Sequence, residues 1–287
     1  TTPIRVPVLY LDTAFGGLTP YQAGGGNETR SLRLKDVNGN EYTLRSVNKS
    51  RNKVVPKDFD DTFVEDIVQD EVSMAHPYAA LALPGMAKAA GIYYGRSTIV
   101  WLPSQPALDS FNDKFKDDLY LFEQRPDGDW TEADNLGNFE KYESTEDLIE
   151  KMLKNNKHTP DQYQYVKSRL FDMLISDWDR HEDNWRWGVK ETDEKDFYAP
   201  VPRDRDNAFY SRSGLFTNIM ISAAKLNYMQ NFDHTVKNIE DLNWEMRNID
   251  RFFTNALTLD DWTKAATELE QALTDTVIAA SIRGLPP

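Results

Sequence analysis

The sequence predicts an α+β chain in two lobes: an antiparallel sheet with an accompanying helix over residues 1–125, then a mainly helical lobe over residues 126–287. Three observations predict it. Asn38-Gly39, a hairpin signal, separates two stretches in which polar and apolar residues alternate, the period of a half-buried strand. After the turn cluster Pro126-Asp127-Gly128-Asp129, apolar residues recur at helical spacing behind N-cap signals. Two acidic clusters, residues 177–184 and 203–207, flank a short tryptophan-rich strand pair and hold the chemistry-bearing side chains.

Composition sets the outer bounds. A chain of 287 residues with 40% hydrophobic content, seven Trp and fourteen Phe can bury a sizeable core. The net charge of −14 argues against unassisted binding of nucleic acid, which needs a basic field to release counterions. Most of the carboxylates are then ordinary solvated surface. Cysteine is absent, which excludes disulfides, thiolate zinc sites and cysteine nucleophiles. No stretch approaches the ~20 consecutive apolar residues of a membrane span, and no signal-peptide pattern opens the chain. The start Thr1-Thr2-Pro3 fits a chain from which a leader or neighbouring domains have been removed.

In the first lobe, residues 6–12 form a short apolar run, a strand or a docking segment. The triplet Gly24-Gly25-Gly26 lies between residues 18–23 and the alternating stretch 31–35. Glycines there let backbone approach a phosphate without side-chain clash, although a triplet by itself is equally a flexible hairpin loop. The hairpin at Asn38-Gly39 leads into a strand over residues 41–49. Tyr42, Leu44 and Ser46 face one way and Thr43, Arg45, Val47 and Lys49 the other. Arg45 or Lys49 thus offers a cation for phosphate oxygens; arginine would hold them bidentately. Residues 60–76 read as a helix with acids crowding its start, and Asp70 or Glu71 on it is placed to pair with that cation. Residues 77–91 read as a second short helix near the core of this lobe, and residues 97–102 and 119–123 as two more strands.

In the second lobe, Ser144-Thr145-Glu146-Asp147 is an N-cap with acids in the first turn. Thr159-Pro160-Asp161 opens the next helix, with proline at its first position. Tyr163, Val166, Leu170, Met173 and Leu174 mark the buried face of that helix, which delivers the chain to Asp177. Then follow Asp177-Trp178-Asp179-Arg180-His181-Glu182-Asp183-Asn184, a strand over residues 185–189, a polar turn, and a return strand over residues 197–201 that ends on Asp204 and Asp206. Further helices are expected over residues 215–229, 233–253 and 259–282.

Asp179 and Asn184, with four residues between them, match the spacing of a kinase catalytic loop, and Asp206-Asn207-Ala208-Phe209 stands where Asp-Phe-Gly would be. On these residues and Asp179-Arg180-His181 the chain resembles the atypical kinase-like superfamily that includes HipA-type toxins, spore-coat CotH kinases and secretory-pathway casein kinases. It also resembles kinase-like regions of large bacterial surface proteins, which would place it outside the cytoplasm or in a periplasm. The resemblance spans residues 18–215 and implies a two-lobed protein-kinase-like fold and ATP-dependent phosphoryl transfer with Mg2+ or Mn2+. Asp179 would orient or deprotonate an acceptor hydroxyl on a protein, sugar or lipid. Asn184 and Asp206, or Asp204 in its place, would hold the metal. Gly24, Gly25 and Gly26 would cover the nucleotide phosphates, and the backbone at Glu123, at the exit from the first lobe, would read an adenine edge. Two features depart from the superfamily: arginine at position 45 in place of the strand lysine, and the absence of Asp-Phe-Gly.

Other functions fit less of the chain. A kinase-shaped module that binds nucleotide or a partner without transfer would share the fold. Asp204-Arg205-Asp206 is also the Asp-x-Asp of metal-dependent glycosyltransferases, but those begin with alternating strand-helix units and this chain begins with a hairpin. A histidine metallohydrolase is disfavoured by four scattered histidines, at 76, 158, 181 and 234. His181 then serves to hold its loop by hydrogen bonds.

Overall fold

The computed structural model describes residues 5–24, 30–47, 78–211, 227–283 and 285. It is a mixed α+β chain with an antiparallel sheet in the N-terminal region and helices in the C-terminal part, compatible with a kinase-like fold. The described residues fall into two compact units: residues 5–24, 30–47 and 95–129 in the first, and residues 78–94, 130–211, 227–283 and 285 in the second.

The first unit is a five-stranded sheet in the order β1-β2-β3-β5-β4, formed by β1 (Leu18–Gly24), β2 (Ser31–Asp36), β3 (Glu41–Ser46), β4 (Ser97–Leu102) and β5 (Asp118–Arg125). All its pairings are antiparallel. The expected β2–β3 hairpin has a local cause. The Asp36 carboxylate accepts from the backbone N–H groups of Asn38 and Asn40, and Gly39 takes φ +88°, a conformation that glycine adopts without strain. Alternation puts Leu32, Leu34, Tyr42 and Leu44 in the core. Phe15 and Phe122 pack on Tyr42, with ring centroids 5.0 Å away in each case. Pro20 is tolerated because β1 is an edge strand. Residues 6–12 dock rather than extend the sheet. Val8 makes one parallel bridge to Trp101, and buried Gln105 bonds both the N–H of Leu11 and the carbonyl of Leu9.

The second unit contains a four-stranded sheet as well as helices. Its strands are β6 (Tyr142–Glu143), β7 (His158–Pro160), β8 (Trp185–Lys190) and β9 (Asp196–Pro202), in the order β6-β8-β9-β7. Its longer helices among the described residues are α1 (Ala79–Ala89), α2 (Thr145–Lys154), α3 (Gln162–Leu174), α4 (Arg247–Phe253), α5 (Leu259–Ala272) and α6 (Asp275–Ile282), and Ile239–Leu242 is a single helical turn. The Ser144 hydroxyl caps α2 by accepting from the Asp147 N–H, as its sequence signal implies.

Three expectations are corrected here. Pro160 is not the first residue of α3: it ends a short strand paired in parallel with β9, and Asp161 caps the helix. Residues 79–89 do form a helix, but α1 belongs to the second unit. It packs on Phe171, Ile175, Ala208, Leu269 and Leu273, and its small residues let α6 come close, with Ser281 set against Gly85. The buried side of α3 matches the predicted apolar stripe only in part: Val166 is buried, and Tyr163, Leu170 and Met173 are partly so. Leu174 is half exposed, while Arg169 and Asp172 are wholly inside alongside Tyr165, Val166 and Phe171. The helix expected over residues 60–76 lies outside the described residues, as does most of the one expected over residues 215–229.

Among the described residues the second unit has two apolar clusters, and α3 contributes to both. Phe171 and Ile175 meet α1 and α5, and Tyr165 packs with Trp185, Trp187, Leu148 and Phe253. Trp187 and Phe253 rings lie 4.4 Å apart between centroids. Beside Trp187, Gly188 accommodates the Phe139 ring, and a Cβ there would land on that ring. Gly188→Ala is therefore expected to destabilise the protein by about 1–3 kcal/mol through overpacking, despite the better strand propensity of alanine; a lowered urea midpoint would measure it.

Candidate functional site

The site region of the second unit begins where α3 stops. Ser176 takes a left-handed conformation, φ +51°, and the N–H of Asp177 bonds back to the Asp172 carbonyl. That turn releases residues 177–181 without regular structure. A short 3-10 turn, Glu182–Asn184, then leads into β8. Asn184 is buried, and its Oδ1 accepts the His181 N–H at 2.7 Å. His181 itself is exposed and serves the turn through its backbone.

β8 and β9 return the chain to the same place, because Trp185 pairs with Pro202 and the Arg203 N–H donates to the Asn184 carbonyl at 2.9 Å. Arg180 joins the two segments. Its Nη1 donates to the carbonyls of Arg203 (2.7 Å) and Asp204 (3.0 Å), and its Nη2 to that of Asn184 (3.2 Å). The guanidinium lies over the Trp185 ring, 5.3 Å from its centroid. Asp204 is held at φ +62°. On the far side of the following turn, the Phe209 N–H bonds the Ile175 carbonyl at 2.8 Å.

This stitching brings two expected carboxylates onto one amide. The Asn207 side-chain NH2 donates to Asp179 Oδ2 at 3.2 Å and lies 3.4 Å from Asp206 Oδ1. Asp179 is exposed, and Asp206 and Asp204 are partly exposed. Asn207 was not singled out as a site residue from sequence; its adjacency to Asp206 was the available signal.

Asp177 was also missed. It is fully buried, and among the described residues its carboxylate oxygens accept no hydrogen bond; Arg180 Nη1 is 3.6 Å from Oδ2. Burial, reinforced by the nearby charges of Asp172 and Asp206, pushes its pKa up to about 8 despite Arg180 and Arg205.

In the first unit, Gly24 ends β1 beside Ser31, whose hydroxyl would stand 3.0 Å from a Cβ there. Arg45, on β3, pairs with Glu123, on β5, at 3.2 Å between Nε and Oε2. The two are diagonal neighbours, since Thr43 is in register with Glu123 and Arg45 with Leu121. The other Glu123 oxygen accepts from Ser97. Glu123 thus sits inside the sheet, with β5 continuing to Arg125, and it presents a carboxylate to Arg45. Gly25, Gly26, Lys49, Asp70 and Glu71 lie outside the described residues.

The side chains that the sequence assigns to a metal carry the donor chemistry a hard cation takes. All are oxygens: an Asp206 carboxylate, the Asn184 amide oxygen with one lone pair beyond its backbone bond, and Asp204 as the alternative carboxylate. Among the described residues no group of three or more His, Cys, Asp or Glu side chains is placed to hold a metal by itself. A cation there would draw the rest of its shell from phosphate and water, as Mg2+ commonly does.

No protein-family profile matches the chain, and no curated protein is significantly similar in sequence. Among solved structures it is similar to a Helicobacter pylori proinflammatory kinase, CtkA, with a TM-score of 0.44 and 13% identity over 94% of this chain and 85% of that one. The likeness is coarse, and no residue correspondence is taken from it. Among the described residues no helix is long and apolar enough to cross a membrane.

Asp177 sets a pH signature. Its native pKa lies above the unfolded value of ~3.9, so the folded state holds this proton more tightly. The associated stability is complete below pH ~4 and is lost as pH rises through about 8. Asp177→Asn, which mimics the protonated acid, is expected to flatten this decline. Melting curves at pH 5 and pH 8 would show it as a relative gain at the higher pH of at least ~2–4 °C, the equivalent of 1 kcal/mol.

Proposed function

We propose that the chain is an ATP-dependent phosphotransferase of the atypical kinase-like type, of the kind its HipA-, CotH- and secretory-kinase-like motifs imply, acting on a hydroxyl acceptor with Mg2+ or Mn2+. One observation carries the proposal: the Asn207 amide contacts both Asp179 and Asp206, two acids far apart in sequence, on segments that Arg180 binds together.

Phosphoryl transfer asks a protein mainly for positioning and charge stabilisation. Asp179, exposed, accepts the acceptor hydroxyl proton as its oxygen attacks the γ-phosphorus, and the bridging oxygen leaves with ADP. Asn207 holds that carboxylate in place. Asp206 and Asn184 would hold the metal, which neutralises charge on the phosphate oxygens. In the first unit, Arg45, paired with Glu123, and Gly24 with Gly25 and Gly26 are the residues that the resemblance implies for the nucleotide phosphates. The acceptor class, whether protein, sugar or lipid, is a matter for substrate trials.

The test is transfer from γ-labelled ATP, with nucleotide binding followed by calorimetry. Asp179→Ala is expected to lower transfer by ~10²–10⁴-fold, the span of a lost general base, with ATP affinity kept. Asp206→Ala is expected to weaken binding only when a divalent ion is present. Transfer at the parent rate by Asp179→Ala would overturn the role given to it. Binding without transfer to any acceptor would instead identify a nucleotide-binding module. No nucleotide binding at all would remove both.

A further inference from the structure

We propose that Asp172, a residue outside every motif of the chain, is the positioning residue that sets the two loops bearing Asp179 and Asp206, acting through Arg180 and Arg205. The claim concerns loop geometry; its kinetic consequence rests on the phosphotransferase reading, but its structural consequence does not.

Asp172 lies on the inner face of α3, in the last turn of the helix, and has no solvent exposure. Three guanidinium groups converge on it. Arg205 Nε–H donates to Oδ1 at 2.8 Å. Arg169 Nη1–H donates to Oδ2 at 3.1 Å. Arg180 Nε stands 3.2 Å from the same Oδ2, as an ion pair whose alignment falls short of a hydrogen bond. Burial alone would raise the carboxyl pKa, but Arg180, Arg205 and Arg169 together hold it below the ordinary carboxylate range. The group is therefore ionised and its charge is matched from three directions.

Two of these partners belong to the two loops. Arg180 follows Asp179 directly and carries the fork that binds the carbonyls of Asn184, Arg203 and Asp204. Arg205 precedes Asp206 directly and packs over the Phe171 ring, 4.9 Å from its centroid. The third, Arg169, turns the other way. Its Nε–H and Nη2–H clasp the Asp250 carboxylate, which also accepts from the Tyr165 hydroxyl, and Nη2–H donates to Asn243. One rigid carboxylate on a helix thus fixes the residues next to both site acids and is itself braced against the C-terminal helices. Planar guanidinium groups with several donors suit this task, and lysine would not replace them.

The experiment compares Arg180→Lys, Asp172→Asn and Asp172→Glu with the parent by amide hydrogen exchange and by steady-state kinetics. Arg180→Lys keeps a positive charge near Asp172 but loses the three-carbonyl fork, so it tests the Arg180 limb of the link, and Asp172→Glu, which keeps the charge but displaces it by one methylene, tests Asp172 itself even if Asp172→Asn does not fold. Expected in Arg180→Lys is faster exchange confined to residues 179–184 and 203–207, with the exchange of α3 unchanged. Transfer should show kcat lowered by ~10²-fold, the scale of a misplacement of about 1 Å, with KM for ATP within about twofold. A purely structural role would instead raise exchange across the whole unit and lower its melting temperature. Unchanged exchange in both loops, in a variant that folds and melts like the parent, would overturn the proposal. If the parent transfers no phosphate, the phosphotransferase reading fails, and the exchange pattern alone still decides the role of Asp172.

Discussion

The second unit depends on keeping a charge inside it. A carboxylate removed from water costs several kcal/mol unless its charge is closely matched. Asp172 meets that demand with three arginines, and those arginines are then no longer free to point elsewhere. Arg180 must face inward, so its remaining donors reach the carbonyls at 184, 203 and 204. Arg205 must also face inward, while its neighbours Asp204, held at φ +62°, and Asp206, at the start of a turn, are partly exposed. The ionic cluster is in this sense a device for orienting backbone. Buried ionic groups add less to stability than their number suggests, and registry is their best-attested use.

Asp177 shows the converse. It lies in the same region, equally buried, but among the described residues only Arg180 is close enough to pair with it, and that arginine is shared. Its proton affinity rises accordingly, while that of Asp172 falls. Two aspartates five positions apart, on one stretch of chain, are thus driven in opposite directions by the number of guanidinium groups each can reach.

Legibility in the sequence followed the range of each interaction. The Asn38-Gly39 hairpin was readable because Asp36 and Gly39 complete it within a few residues. The caps at Ser144 and Thr258 are equally local. The strand pair between the acidic clusters showed as a tryptophan-rich run and a return run across a polar turn, and the structure places the two at β8 and β9. Strands β6 and β7 did not show, since two and three residues are too few to display a period. The inner face of α3 was misread for a different reason. Arg169 and Asp172 look like a solvated face on a helix, and only distant partners, at 180, 205, 243 and 250, make their burial favourable.

The sequence by itself determined the α+β class, the hairpin, the helix start at Ser144 and the candidate site residues Asp179, Asn184, Asp204 and Asp206. All of these rest on residue type and short spacing. Only the tertiary structure decided that α1 belongs with the helices, that Glu123 is the partner of Arg45, and that one asparagine stands between Asp179 and Asp206. The physical reason is directional. Hydrogen bonds and ion pairs between remote segments depend on where the folded chain carries each donor, and that path is set by packing of the whole unit rather than by any local run of residues.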